Sequence, residues 1–392
     1  MTITAPLVVV GSVNADIYVE VDKLPKEGET IVAKSGHTFA GGKGANQAAC
    51  AARLSYPTYL VGQVGKDGHA SLVKEALASA GVRLDHVNTV KGPTGHAVVM
   101  LQPGGVSSIV LVQGANVSWP RLEDGIGRLT TTVQQLIRRA GGVLLQREVP
   151  DSVNLEAAKI ARSANVPVVL DAGGADTPIS QELLKCVTVL RVNEAELARL
   201  TGMPTSNLDQ ITMAAMSIHQ LGVKQVLVRL GDLAGVLLFQ KEHPFLTQGA
   251  FQPPAIIDTS GADDSFTAAY VVALIERQVT SEALRFAAAA ESLCVRAKGT
   301  IPSMPERKPI VQLLKDHPTT MRDEDLPNEQ QVLLLLKEHS PFSGEIETMP
   351  ATEKVKGPGE DHLVMTPTEI NENETTAEAE KLVPIEDLPV PT

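Results

Sequence analysis

The chain has 392 residues, 43% of them hydrophobic and only 3% aromatic, so a large core must rest on Val, Leu, Ile and Ala. No run reaches the roughly 18–20 apolar residues needed to cross a bilayer. The first ten residues read as neither a signal peptide nor an Arg/Ser-rich presequence, and Cys50, Cys186 and Cys294 lack CxxC spacing, which argues against membrane insertion, secretion and a thiolate metal site. The expected compartment is the cytoplasm, or an organelle such as the plastid if a presequence is missing from this chain. The net charge of −12 is unevenly spread: from Asp316 onward there are 18 acidic and 5 basic residues, against 28 acidic and 29 basic before it. A near-neutral body offers no nucleic-acid face.

Leu7–Val10 is a continuous apolar run, as in a strand buried on both faces. Similar runs stand at residues 59–61, 143–145, 168–170, 187–190 and 226–228, with helical stretches at 43–54, 70–80, 153–161 and 208–221. This alternation implies a mostly parallel sheet with helices on both sides. Two segments break the rhythm. Residues 17–40 carry the short runs IYVEV and TIVAK, and residues 96–113 carry AVVMLQ and SSIVLV around Pro103-Gly104-Gly105. They read as antiparallel strands of a small lid. The apolar pattern fails after His317, so the expected division is a domain over 1–316 and an acidic, largely disordered tail over 317–392. Within the tail only residues 329–339 read as helical, and the sequence names no partner for it.

Three motifs carry chemistry. Gly11-Ser12-Val13-Asn14-Ala15-Asp16 follows the first strand, at the end where open α/β sheets bind ligands. Gly41-Gly42-Lys43-Gly44-Ala45-Asn46 leads into an Ala-rich helix, where adjacent glycines let the backbone approach a ligand closely. It is not a Walker A loop, because His37 and Gly44 stand where that pattern needs Gly and Ser/Thr. Asp258-Thr259-Ser260-Gly261-Ala262-Asp263-Asp264 is a small-residue loop opening a helix expected near Ser265. Such a loop aims N–H groups at one point and makes an anion hole, with Asp264 at its lip placed to accept a hydroxyl proton. Alone, each motif also has a plain reading as turn former, tight helix entry or N-cap. The nine histidines show no metal spacing.

In this order, and with LPKEGETI, PTGHAVVMLQ and KGTIPSMP, the motifs resemble the ribokinases within the phosphofructokinase-B type of sugar kinases over Leu7 to Pro302, the plant type in particular. The resemblance implies a three-layer α/β/α fold with a β lid that covers the sugar and forms a homodimer contact. It implies transfer of the γ-phosphoryl of ATP to O5 of D-ribose. Asn14, Asp16, Gly41, Gly42, Lys43, Gly44, Ala45, Asn46 and Glu148 match sugar-binding positions, and Asp264 the catalytic base. Asn193, Arg229, Leu230, Gly231, Asp232, Leu233, Ala234 and Gly261 to Asp264 match the ATP site. Glu196 matches an indirect Mg²⁺ contact, and Asp258, Ser260, Cys294, Ala297, Gly299 and Ser303 match a K⁺ site.

The match departs near the phosphates. Asp263 replaces a glycine beside the base and sets a negative charge next to the transferring phosphoryl, worth about 3 kcal/mol of repulsion at ~5 Å and an effective dielectric near 20. The second glycine of the nucleotide loop is replaced by Ala234 or displaced to Gly235. Ala287 and Ala288, on the helix that carries Glu291, suggest mostly apolar adenine contacts. Three readings stay open: an active ribokinase, a catalytically impaired sugar- or nucleotide-binding relative, and a kinase for another sugar or nucleoside.

Overall fold

The computed structural model describes residues 4–103, 107–120, 128–231, 235–240 and 243–318. The expected turn at Gly104-Gly105, the nucleotide-loop residues Asp232, Leu233 and Ala234, and the tail from residue 319, with its expected helix at 329–339, lie outside the described residues.

The main sheet has nine strands. β1 (Leu7–Val10) is central; β4 (Thr58–Val64) and β5 (Arg83–Thr89) extend it on one side. On the other side lie β8 (Gly142–Gln146), β9 (Val168–Asp171), β10 (Val189–Asn193), β11 (Gln225–Leu230), β12 (Gly235–Gln240) and β13 (His243–Gly249). Pairing is parallel from β5 to β11, and the hairpin β12–β13 adds an antiparallel edge.

Adjacent residues of β1 enter opposite cores, as a fully apolar strand requires. Leu7 and Val9 join the helices α1 (Lys43–Arg53), α2 (Gly68–Ser79), α8 (Ala262–Ile275), α9 (Thr280–Cys294) and α11 (Arg307–Asp316). Val8 and Val10 join α3 (Thr131–Arg138), α4 (Asp151–Ser163), α5 (Gln181–Leu184), α6 (Glu194–Thr201) and α7 (Leu208–Gln220). This is the expected three-layer α/β/α arrangement. A short helix, α10 (Thr300–Ser303), precedes α11.

The lid is a separate four-stranded sheet in the order β3 (Ser35–Gly41), β2 (Asn14–Glu20), β6 (Gly95–Leu101), β7 (Ser107–Val112). Two expectations are corrected here. The central pair β2–β6 runs parallel, because β6 arrives by a crossover through α1, β4, α2 and β5 rather than by a hairpin. The run TIVAK is not a strand: Val32 is 92% exposed, and SGHTFAG after it pairs with β2 instead.

Candidate active site

The sugar-side motifs meet where β1 ends and α1 begins. Gly42 has φ +91°, and a Cβ there would lie 2.8 Å from Asn14 N. A Cβ on Gly44 would lie 2.6 Å from Ser12 N. Glycine therefore lets the N-terminus of α1 rest on the loop after β1, where Ala45 N donates to Ser12 O at 2.9 Å. Gly41 ends β3 against the Asp16 carboxylate. Asn14 Oδ1 accepts from Asn116 Nδ2 at 2.7 Å, and Val13 N donates to Asn116 Oδ1 at 2.8 Å, which fixes the Asn14 amide. Glu148 Oε2 accepts from Ser12 Oγ at 2.5 Å and Lys43 N at 3.1 Å.

Asn14, Asp16, Gly42, Lys43, Asn46, Glu148 and Asp264 line one cavity of about 1230 Å³, covered by Tyr18, Ala97 and Val99 of the lid. Asp264 Oδ2 accepts from Asn46 Nδ2 and Oδ1 from Gln47 Nε2, each at 2.9 Å. Burial pushes the Asp264 carboxyl up to about 6, against the pull of Lys43. Burial, then the Glu148 and Asp264 charges, push Asp16 up to about 7. Lys43 is held firmly protonated, first by Asp171.

The phosphate-side motif forms a helix earlier than expected. α8 starts at Ala262 with Gly261 as N-cap, so Asp263 and Asp264 both sit in its first turn rather than in a loop before Ser265. Ala262 N donates to Thr259 O at 3.0 Å, so this N–H, expected at the ATP site, is already engaged. Asp263 is not among the positive-φ residues, so the substituted glycine leaves no left-handed strain.

The Asp263 charge is not bare either. Its Oδ1 lies 2.5 Å from Arg191 Nη2 and accepts from Arg229 Nε at 3.0 Å. Burial works to raise its pKa, yet Arg191 and Arg229 hold the carboxyl well below the usual range. The expected repulsion therefore gives way to a compensated cluster. Arg229 Nη2 also pairs with Glu291 of α9. Burial carries the Glu291 carboxyl up to about 7, against Arg229.

Beside this cluster, Asn193 caps α6 in a reciprocal box: Glu196 N donates to Asn193 Oδ1 at 2.7 Å, and Asn193 N to Glu196 Oε2 at 2.9 Å. Gly231, after the buried Leu230, donates its N–H to Glu194 Oε1 at 3.0 Å. Gly235 opens β12 with φ +126°, and a Cβ there would lie 2.4 Å from Gln248 O.

Sequence reasoning missed the residues that join the two sides. Asp171, fully buried at the end of β9, accepts from Gln47 Nε2 at 3.1 Å and lies 3.8 Å from Lys43 Nζ. Arg191 Nη1 stands 3.5 Å from its other oxygen. Gln47 Oε1 accepts from Gln146 Nε2 at 2.6 Å. An acid closing an apolar run was a signal of the same kind as Asn14 and Asp16.

Asp258 joins the two segments matched to K⁺. Its Oδ1 accepts from Ser260 N at 2.9 Å and Ser260 Oγ at 2.6 Å, and its Oδ2 accepts from Gly299 N at 2.8 Å. The Cys294 carbonyl accepts from Ala297 N at 3.4 Å, and the Gly299 carbonyl from Ser303 N at 3.2 Å. Ser303 Oγ donates to Thr300 O at 2.8 Å. Among the described residues no group of three or more His, Cys, Asp or Glu could hold a metal ion.

Ribokinase of Arabidopsis thaliana is 55% identical over 314 residues, covering 79% of this chain and 81% of the relative. Ribokinase of Haemophilus influenzae is 34% identical over 310 residues, covering 79% and 98%. A solved structure of Arabidopsis thaliana ribokinase complexed with ribose and ATP matches with a TM-score of 0.76 at 55% identity, covering 80% of this chain and 99% of that one. Residues 4–307 match the model of the pfkB family carbohydrate kinases, and the chain belongs to that family.

Proposed function

We propose that the chain phosphorylates D-ribose at O5 with ATP to give D-ribose 5-phosphate. The observation that carries this reading is Asp264. It sits in the first turn of α8, is pushed up to about 6, and borders the cavity lined by Asn14, Asp16, Lys43 and Asn46. The 55% identity to a ribokinase supports ribose as the sugar. Asn14, Asp16, Lys43, Asn46 and Glu148 hold the sugar hydroxyls. Asp264 takes the O5 proton as the bond from O5 to the γ-phosphorus forms and the bond to the β–γ bridging oxygen breaks, releasing ADP. The N-terminus of α8, with its dipole, faces the transferred charge.

ATP enters with Mg²⁺, which needs few protein oxygens; Glu196 lies beside the path with one oxygen committed to the α6 cap. For K⁺, the oxygens of Asp258, Ser260, Cys294, Ala297, Gly299 and Ser303 offer a fitting donor set: Asp258 already ties both segments together. A monovalent ion there would order the loop that opens α8. The lid edge β7 exposes Ile109 at 62% and Val110 at 54%, which supports a homodimer through the lid. Among the described residues no helix is long and apolar enough to cross a membrane, and all three cysteines are free, in keeping with a cytoplasmic setting.

The test is an assay of ADP release with ribose, fructose and adenosine as acceptors. Ribose should give the highest kcat/KM. A higher value for fructose or adenosine would replace the substrate, and no ADP with any of them would remove the kinase reading.

A further inference from the structure

Arg191 is used by no step above, yet it is among the largest fully buried side chains, 1% exposed within β10. It meets carboxylates from three other elements: Asp263 Oδ1 on α8 at 2.5 Å, Asp171 Oδ1 on β9 at 3.5 Å and Glu196 Oε2 on α6 at 3.6 Å. A buried guanidinium is retained only where charge answers it. Asp263 is the nearest of the three. Arg229 gives Asp263 a second partner but divides itself with Glu291.

An aspartate in the first turn of a helix has two destinations. It can fold back on the N–H groups of its own helix, which attract anions, or reach outward to a cation. In this protein the first destination is where a transferred phosphoryl group must bind. The two arginines draw the Asp263 carboxylate the other way, toward β10 and β11.

We propose that Arg191 is a positioning residue for phosphoryl transfer, a buried counter-ion that holds the Asp263 carboxylate off the phosphate path. The inference rests on the kinase reading above. Through Asp171, which also meets Lys43 and Gln47, the same guanidinium ties the phosphate side to the sugar side. Arg191 itself touches no substrate. It acts by deciding where Asp263 points.

The proposal makes the effect of Arg191 conditional on Asp263, which a double-substitution cycle on the full chain reads directly. ATP affinity is measured by calorimetry on wild type, Arg191→Met, Asp263→Gly and the double variant, with melting temperatures alongside. Arg191→Met should weaken ATP binding about tenfold to a hundredfold when Asp263 is in place, and less than about threefold when Asp263→Gly accompanies it. An equal loss in both backgrounds would mean that Arg191 grips phosphate itself and would overturn the proposal. So would the absence of loss when Asp263 is in place. If Arg191→Met does not fold, Arg191→Lys replaces it; it keeps the charge without the fork, and its smaller loss must likewise vanish with Asp263→Gly. Because ATP binding is read without turnover, a wild type that binds ATP but phosphorylates no sugar removes the kinase reading and leaves the cycle intact.

Discussion

The two sides of the cleft are built at the ends of the same sheet, but with opposite chemistry. On the sugar side, neutral amides do the holding: Asn46 and Gln47 hold Asp264, and Asn116 holds Asn14. On the phosphate side, charges hold charges: Asp263, Arg191, Arg229, Glu291 and Glu196 form one connected cluster. Burial keeps Asp16 raised, and keeps Asp264 raised against the Lys43 charge and the Asn46 and Gln47 amides, as a proton acceptor near neutrality requires. Full guanidinium charges do the reverse, and Asp263 stays ionised far into acid. Adjacent aspartates on one helical turn thus carry different protonation behaviour because they face different sides.

The comparison breaks most visibly at Asp264. Asp264→Asn should lower kcat about a thousandfold, the range of a lost general base, while calorimetry finds ribose affinity within about threefold. Equal turnover by the variant would remove the base assignment. In the wild type, kcat should fall on the acid side as Asp264 takes its proton near pH 6. Stability should move the other way. A carboxyl raised in the folded state contributes its full stability below the ordinary value of 3.8, and that contribution is lost as pH rises through about 6 for Asp264 and about 7 for Asp16.

Asp16→Asn separates the two effects. Ribose should bind about tenfold to a hundredfold more weakly, the loss expected for a charge-assisted hydrogen bond. The melting temperature should rise at pH 8, because a buried charge crowded by Glu148 and Asp264 is removed. That gain should fade below about pH 7, where Asp16 of the wild type is already protonated. A rise that is the same at pH 5 and pH 8 would show that charge is not its cause.

The monovalent site predicts a smaller effect. Exchanging K⁺ for tetramethylammonium should lower kcat several-fold, since the ion would brace the loop that opens α8 without touching the sugar. Indifference to the exchange would leave the Asp258 hydrogen bonds to Ser260 and Gly299 as sufficient bracing.

What the sequence made legible was local. A glycine pair entering a helix, Asx residues closing a strand and a small-residue helix start each announce themselves within seven residues or so, and the cavity brings them together. The parallel sheet was legible for the same reason, through short apolar runs. Arg191, Asp171, Gln47 and Glu291 were not, because their meaning depends on β9, β10 and β11 ending side by side with α8 and α9. Read alone, Arg191 is one charge inside an apolar run and Asp263 one charge in an anion hole; only adjacency turns them into a pair. β5 escaped notice because it is an edge strand, with Val87 its one buried residue.

The sharpest use of that pairing is Asp263→Gly. Taken as an unpaired charge about 5 Å from the phosphoryl group, Asp263 would slow transfer, and its removal would raise kcat/KM for ATP tenfold to a few hundredfold. Taken as the partner of Arg191 and Arg229, it presents a charge already answered at 2.5 and 3.0 Å. Removal then frees two guanidiniums near an anionic substrate but also strips a buried cluster of its centre. The rise should be only about twofold to fivefold, because most of the repulsion was never there. The melting temperature should fall, since Arg191 keeps only Asp171 and Glu196, at 3.5 and 3.6 Å, and a buried charge that loses its close partner is destabilising. A hundredfold gain with an unchanged melting temperature would mean that the arginines do not hold Asp263 in solution, and the contrast between the two sides of the cleft would go with them.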